Sequence, residues 1–265
     1  MRYVYFTKTL QSLDVAGLIA FCKDVGLDGV DLAVRPGYPV HPANVAGELP
    51  RAVKQFKDEG LVIGLVTAPT SMIDPESGLA LALFDACGKA SVPAVKLGYF
   101  AYKNDFDAGL ADARKRLAGF AKLAAKTGVR ACYHTHSGAN VGNNCAGLRL
   151  LLQDFDPHHV GAFVDTGHLA VNGGPFRMEL DMVRTWLSLV AIKDMAWTQQ
   201  KSGWQHQVVP AGGGIVRWNE VAQGLKERKF NGTISLHGEY ECKDLPQRQR
   251  QAKEELGFLR THLSR

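Results

Sequence analysis

The sequence predicts one α/β domain, a closed (β/α)8 barrel. Short apolar stretches alternate with amphipathic helical stretches eight times along the chain, the pattern of a parallel sheet wrapped in helices. A length of 265 residues accommodates eight such units as a single domain, 1–265, since barrels of this size are routinely undivided. Three of the predicted strands end abruptly in acids or histidines, at the carboxyl ends where such barrels carry their chemistry.

In chain order, Tyr3 to Phe6 reads as a strand, followed by a helix from Asp14 to Val25 with Leu18, Ile19, Phe21 and Cys22 at helical spacing. Gly29 to Val34 is the second strand, and a helix from Leu49 to Glu59 stops at Gly60, a residue that favours helix ends. A strand at Leu61 to Val66, a helix at Gly78 to Lys89, a strand at Ala94 to Leu97 and a long helix from Phe106 to Lys126 complete the first half.

The second half repeats the alternation. Val129 to His134 is the fifth strand, with a helix from Cys145 to Gln153. Val160 to Val164 is apolar throughout, which marks a strand buried on both faces, and a helix near Met178 to Trp186 follows. The seventh strand, Leu189 to Lys193, leads into a long loop, then a helix from Trp218 to Arg228. Thr233 to Leu236 is the eighth strand, expected to close the barrel against Tyr3 to Phe6, and a helix from Gln247 to His262 ends the chain.

Composition limits the function. The fractions of 46% hydrophobic and 22% charged residues are those of an ordinary globular protein. A formal charge of +5 with scattered Lys and Arg argues against nucleic acid as the main partner and leaves a phosphorylated substrate open. Five cysteines without a CxxC pair argue against a disulfide framework or a zinc knuckle and suit a reducing compartment. The start MRYVYFTKTL has the pattern of a strand rather than a signal peptide. No apolar run reaches the length of a membrane span. A cytoplasmic location is expected, and a homo-oligomer stays open.

The strand ends supply the candidate site. RACYHTHSG brings His134 and His136, VDTGH brings Asp165 and His168, and TISLHGEY brings His237 and Glu239. Strand residues alternate in direction, so His134 shares a side with His136, and His237 with Glu239. Imidazole with carboxylate is a ligand set for Zn, Mn, Fe or Co. Histidines equally serve as hydrogen-bonding substrate ligands, and Asp165 equally serves as the cap of the following helix. Lys96 and Lys193 lie in apolar runs where an unpaired lysine is costly, and Arg35 follows the second strand. Asp31 with Arg35, or Asp194 with Lys193, would make plain ion pairs. The loop from Trp197 to Gly214 carries Trp197 and Trp204 and is expected to form a lid or substrate wall. Its Gly212-Gly213-Gly214 run has the look of a phosphate-binding turn.

The stretches GLDGVDL, YHTHSG, VDTGH, AIKDMAW, VPAGGGIVRWNEV and NGTISLHGEYE resemble the xylose-isomerase-like TIM-barrel superfamily of sugar phosphate isomerases and epimerases, over nearly the whole chain. The resemblance implies a divalent metal at the barrel mouth and isomerisation or epimerisation of sugars. By that resemblance the family's metal-binding glutamates fall on His134 and His237, its aspartate on Asp165, its ligand histidine on Ala191 and its substrate-holding histidine on His168. Only the aspartate is kept in kind, and Glu239 is displaced by two positions.

The expected function is a sugar or keto-sugar isomerase or epimerase, or a lyase, that removes a proton beside a carbonyl. His134, Asp165, His237 and Glu239 are the expected ligands of Mn, Zn, Co or Fe rather than Mg. Glu239, Lys193 and His136 are the catalytic candidates. Arg35, Lys96, His136, His168, Lys193, Trp197 and Trp204 are the substrate-binding candidates. A metal-free enzyme using Lys193 or Lys96 and a non-catalytic carbohydrate-binding protein are the alternatives. Endonuclease IV-like activity would need further metal ligands and a basic groove, neither of which is evident.

Overall fold

The structure, a computed structural model, describes residues 1–263. Eight parallel strands close into a barrel: β1 (Arg2–Phe6), β2 (Gly29–Ala33), β3 (Val62–Thr67), β4 (Ala94–Lys96), β5 (Arg130–His134), β6 (Val160–Asp165), β7 (Leu187–Ile192) and, after two intervening strands, β10 (Thr233–Leu236). Closure is where the sequence places it. β1 pairs with β10 from Arg2↔Thr233 to Tyr5↔Leu236. The helices α1 (Val15–Val25), α2 (Val45–Asp58), α3 (Gly78–Ala90), α4 (Phe106–Thr127) and α5 (Cys145–Leu152) follow β1 to β5 in turn. Then come α6 (Thr166–Asn172), α7 (Phe176–Met182), α8 (Trp218–Glu227) and α9 (Leu245–Leu263).

Local chemistry sets these ends. Asp14, Ser77, Asp105 and Asn144 each accept a hydrogen bond from a backbone N–H in the first turn of α1, α3, α4 and α5, satisfying a donor that the helix itself leaves free. Gly26 and Gly128 end α1 and α4 in the left-handed conformation, which costs glycine least. Gly29 opens β2 with φ at +154°, where an added Cβ would lie 1.8 Å from the Val62 carbonyl oxygen. No side chain fits there.

Two layers of apolar side chains hold the barrel. Val4, Leu65, Ala94, Cys132, Phe163, Leu189 and Ala191 fill its interior. A larger cluster, including Phe21, Phe56, Phe84, Phe120 and Leu148, fills the shell between strands and helices. The five cysteines are free, four of them buried. Among the described residues no helix is long and apolar enough to cross a membrane.

The structure corrects the sequence in two places. The helix expected near Met178 to Trp186 is α7, which ends at Met182, and a second short helix, α6, precedes it directly after β6, with Gly173-Gly174-Pro175 breaking the chain between the two. The expected loop from Trp197 to Gly214 is mostly an antiparallel hairpin of β8 (Asp194–Gln200) and β9 (Gly203–Val209). Most of its side chains are polar and exposed on both faces, so no apolar alternation reveals it.

The hairpin is anchored by Asp194. Its carboxylate accepts hydrogen bonds from the N–H groups of Met195, Gly212, Gly214 and Val216 and from the Trp218 indole. The glycine turn therefore holds this chain's own carboxylate, which corrects its expected resemblance to a phosphate site. It also leaves no ion pair between Asp194 and Lys193.

Behind that anchor, α9 buries Glu255 against the Ala211 N–H and the Tyr240 hydroxyl. Burial, with Asp194 adding repulsion, raises its carboxyl from 4.5 to about 7. The folded protein thus keeps a proton that the unfolded chain loses above pH 4.5, and stability falls as pH rises from 4.5 through 7. The shift corresponds to roughly 3 kcal/mol at pH 8. Glu255→Gln should flatten that part of the curve, so that its Tm advantage over the wild type grows by several degrees between pH 5 and pH 8 in thermal melts.

Candidate active site

The carboxyl ends of the barrel strands converge on a pocket of about 90 Å³. Strand alternation delivers its residues. His134 ends β5 and His136 lies two residues on, while His237 and Glu239 stand in the same relation after β10; all four line the pocket. Lys193 arrives after β7, Lys96 at the end of β4 and Arg35 just beyond β2.

Asp165 combines both readings of its position. One oxygen, Oδ1, accepts the His168 N–H at 3.0 Å and caps α6. The other, Oδ2, is buried without a hydrogen-bond partner. Three nitrogens approach Oδ2: His134 Nε2 at 3.3 Å, Lys193 Nζ at 3.8 Å and His237 Nδ1 at 3.9 Å. Burial alone would raise the pKa of Asp165, but His168, Lys193 and His134 outweigh it and hold the group well below the usual carboxylate range. Asp165 is an anion at any working pH.

His134 Nε2 and both nitrogens of His237 are also buried without a hydrogen-bond partner. Buried polar atoms are normally paired, so two orphaned nitrogens, His134 Nε2 and His237 Nδ1, beside an orphaned carboxylate oxygen mark a place built for something else. One ligand atom each from His134, Asp165 and His237 lie within 4.8 Å of one another. Two imidazole nitrogens and a carboxylate oxygen suit a divalent transition metal. The residues fit a metal ion.

Around this trio the hydrogen bonds are ordered. The Tyr99 hydroxyl lies 2.9 Å from His134 Nδ1; with Nδ1 protonated and Tyr99 accepting, the lone pair stays on Nε2, facing Asp165. Lys193 donates to Glu239 Oε1 at 2.8 Å and to His168 Nε2 at 3.3 Å. His168 then donates from Nδ1 to the Ser137 hydroxyl at 2.9 Å. Burial lowers the His168 pKa to about 3, with Lys193 adding to the effect against Asp165, so that imidazole is neutral. His136 stacks on it with ring centres 3.8 Å apart and donates from Nδ1 to the Ser137 carbonyl, leaving its Nε2 as an acceptor. Burial pushes the His136 and His134 pKa values down as well.

Glu239 is held on both oxygens. Lys193 binds Oε1 and Lys8 binds Oε2. Burial would raise its pKa, but His237 and Lys193 hold it well below the usual range. His237 is itself raised, since Asp31 and Glu239 outweigh its burial.

The expected pair of Asp31 with Arg35 does not form. Asp31 accepts from the Thr67 and Ser235 hydroxyls at 2.6 and 2.9 Å, and its Oδ2 lies 3.6 Å from His237 Nε2. Lys96 is 3% exposed, with Nζ 3.7 Å from the Tyr99 ring centre. Burial first, then Arg35, lowers its pKa to about 7.

Trp197 and Trp204, expected to wall the pocket, are not among its lining residues. They stand out on the hairpin, 43% and 65% exposed, and Trp197 packs edge-on against His206. β8 and β9 pair antiparallel with each other as a two-stranded sheet separate from the barrel. Tyr99, Thr67 and Lys8 are absent from the sequence reading, which takes Asp31 only as a partner for Arg35. A signal existed for Asp31, a lone acid inside the apolar strand GVDLA. Tyr99, three residues past β4, gave none.

Residues 19–262 match the family described as the xylose isomerase-like TIM barrel, and the chain belongs to it. No curated protein matches the sequence. Among solved structures, the IolI protein with a binding zinc atom is similar over 100% of both chains, at 14% identity and a TM-score of 0.80. A D-psicose 3-epimerase solved in the presence of D-fructose also aligns over 100% of both chains, at 15% identity and a TM-score of 0.78. The 3-keto-D-glucoside 4-epimerase YcjR from E. coli aligns over 98% of this chain and 99% of its own, at 14% identity and a TM-score of 0.77. At these identities the likeness establishes the shared fold.

The hydrogen bond between His134 and Tyr99 generates a direct expectation. Partners that fix a ligand histidine are worth about 10- to 100-fold in metal affinity. Tyr99→Phe should weaken binding of Zn or Mn in a calorimetric titration by about that factor, and Asp165→Asn should abolish it.

Proposed function

We propose that this member of the xylose isomerase-like TIM-barrel family is an isomerase or epimerase of keto-sugars that works by moving a proton beside a carbonyl. The observation that carries the reading is the set of orphaned buried atoms His134 Nε2, Asp165 Oδ2 and His237 Nδ1, of which the two histidines line a small polar pocket. Family membership supports it, as do the similar structures whose proteins are epimerases of sugars.

His134, Asp165 and His237 would hold a divalent ion, which when bound polarises a substrate carbonyl as a Lewis acid. The two nitrogens favour Mn, Fe, Co or Zn over Mg, and a similar structure carries zinc. Ala191, level with Asp165 in the β6–β7 register, supplies no ligand.

The chain's own groups divide the remaining work. Lys193 brings an ammonium beside Asp165 and Glu239, where it stabilises the negative charge that develops on the substrate oxygen. His136 lines the pocket with Nε2 as an acceptor, so it takes the proton from carbon. Glu239, the first choice from sequence, is a weaker base because Lys8 and Lys193 occupy its two oxygens. It orients Lys193 instead.

One observation favours a second reading. The Lys193 ammonium already stands 3.8 Å from the same Asp165 oxygen and offers a fixed positive charge without a metal.

The test is exchange of solvent deuterium into the carbon beside the carbonyl of keto-sugars, followed by NMR. We expect exchange in the metal-loaded enzyme and loss of at least about a hundredfold in His136→Gln, the usual scale for a lost general base, with a smaller loss in Glu239→Gln. Exchange that persists after complete metal removal selects the Lys193 mechanism. Sugar binding without exchange makes the protein a carbohydrate-binding protein.

A further inference from the structure

The pocket has two unlike sides. Lys193, His237 and Glu239 on one side satisfy or approach one another and Asp165, as described above. On the other side, Lys96 and Arg35 have no acidic partner. Among the described residues, no carboxylate lies within ion-pair distance of either side chain, and neither donates a hydrogen bond within the protein. Arg35 Nε is buried and unpaired, and its guanidinium lies over the Phe6 ring, 5.7 Å from the centre. Lys96, 3% exposed, has only the face of Tyr99 against Nζ.

The acids nearest to them are already engaged. Asp31 is bound by Thr67 and Ser235, and Glu239 by Lys8 and Lys193. Lys96 and Arg35 belong to β4 and to the end of β2, with only β3 between them. Two strand spacings are roughly 10 Å, a gap that the long side chains of lysine and arginine can close onto one small group. Leaving two cations unpaired in a largely buried site is costly. Proteins keep such groups where a ligand completes them.

We infer that the substrate carries an anionic group, a carboxylate or a phosphate, which binds against Lys96 and Arg35 while its reacting end faces His134 and Asp165. The inference rests on the isomerase reading for the second half of that statement only. The pocket volume of about 90 Å³ limits the ligand to a small molecule and rules out a polyanion lodged inside. The glycine turn at Gly212 to Gly214 is not an alternative seat, since Asp194 fills it. Burial and Arg35 lower the Lys96 pKa to about 7, and a bound anion would favour its charged form. Planar, forked arginine beside a lysine point charge suits an oxyanion better than a hydroxyl.

A matched set of ketoses tests it: D-fructose, D-fructuronate and D-fructose 6-phosphate, which differ only at the sixth carbon. Dissociation constants are measured by calorimetry and proton exchange by NMR on the same samples. We expect one of the anionic sugars to bind at least about tenfold tighter than fructose, as befits a buried charge pair. Preference for fructuronate identifies a sugar acid, and preference for the phosphate identifies a phosphorylated sugar. Lys96→Met and Arg35→Leu should each collapse the ratio towards unity. Lys96→Met should also raise the Tm, because it removes an uncompensated buried cation.

Equal or tighter binding of fructose overturns the inference. So does a lowered Tm in Lys96→Met with the anion preference intact, which would make Lys96 a structural residue. Exchange of fructose without any anion preference leaves the isomerase reading standing and removes this one. Tight, Lys96-dependent binding of an anionic ketose without exchange does the reverse.

Discussion

The site depends on one buried carboxylate with two different tasks. Asp165 is fully buried at the end of a strand that is apolar up to that residue. Such a charge is tolerated only when its neighbours replace water. One oxygen is satisfied by the first turn of α6, which fixes the carboxylate plane relative to the barrel. The Asp165 N–H is in turn held by the Thr135 hydroxyl from the adjoining strand segment. With the group clamped on that side, the free oxygen faces the mouth at a position set by backbone. His134, Lys193 and His237 come from three other strand ends to meet it. The fold supplies this geometry through strand alternation alone, without help from any mobile loop.

The same logic decides what was legible in the sequence. Strands buried on both faces announce themselves as apolar runs, and polar residues at their ends stand out against that background. His134, Asp165, Lys193 and His237 were visible for this reason, and so was closure of the barrel by its first and last strands. The hairpin was invisible because its side chains face water on both sides. Only cross-strand pairing gives it order, and pairing partners leave no trace in composition. The Gly212 to Gly214 turn misled for a related reason. A backbone nest suits any anion, and the anion here is Asp194, eighteen residues before Gly212 in the chain. Tyr99 was hidden because its value lies in a contact across strands with His134 and in a ring face turned to Lys96, three residues earlier.

Charge is arranged around the mouth with a direction. Lys8, Arg35 and Lys96 follow β1, β2 and β4, while the imidazoles and the free carboxylate oxygen belong to β5, β6 and β10. Lys193 crosses this division and Glu239 receives it. A substrate in the pocket therefore meets cations at one end and a cluster of donors and acceptors at the other. On the proposed anion site, that polarity would set which end of a small molecule reacts, and orientation is itself a large part of catalysis.

The neutral histidines complete the argument. His134, His136 and His168 are crowded among cations, and burial keeps their protons off. A charged imidazole at any of the three would face Lys96 or Lys193, and burial outweighs the pull of Asp165 on each. Neutral rings instead offer lone pairs, and each ring has one nitrogen engaged by Tyr99, by the Ser137 carbonyl or by the Ser137 hydroxyl. The second nitrogen is directed by the first. His134 and His237 stand where the resemblance expects glutamates, and nitrogen donors there lower the negative charge of the mouth. Lys96 and Arg35 find no carboxylate within ion-pair distance among the described residues, and the proposed anion site rests on that arrangement.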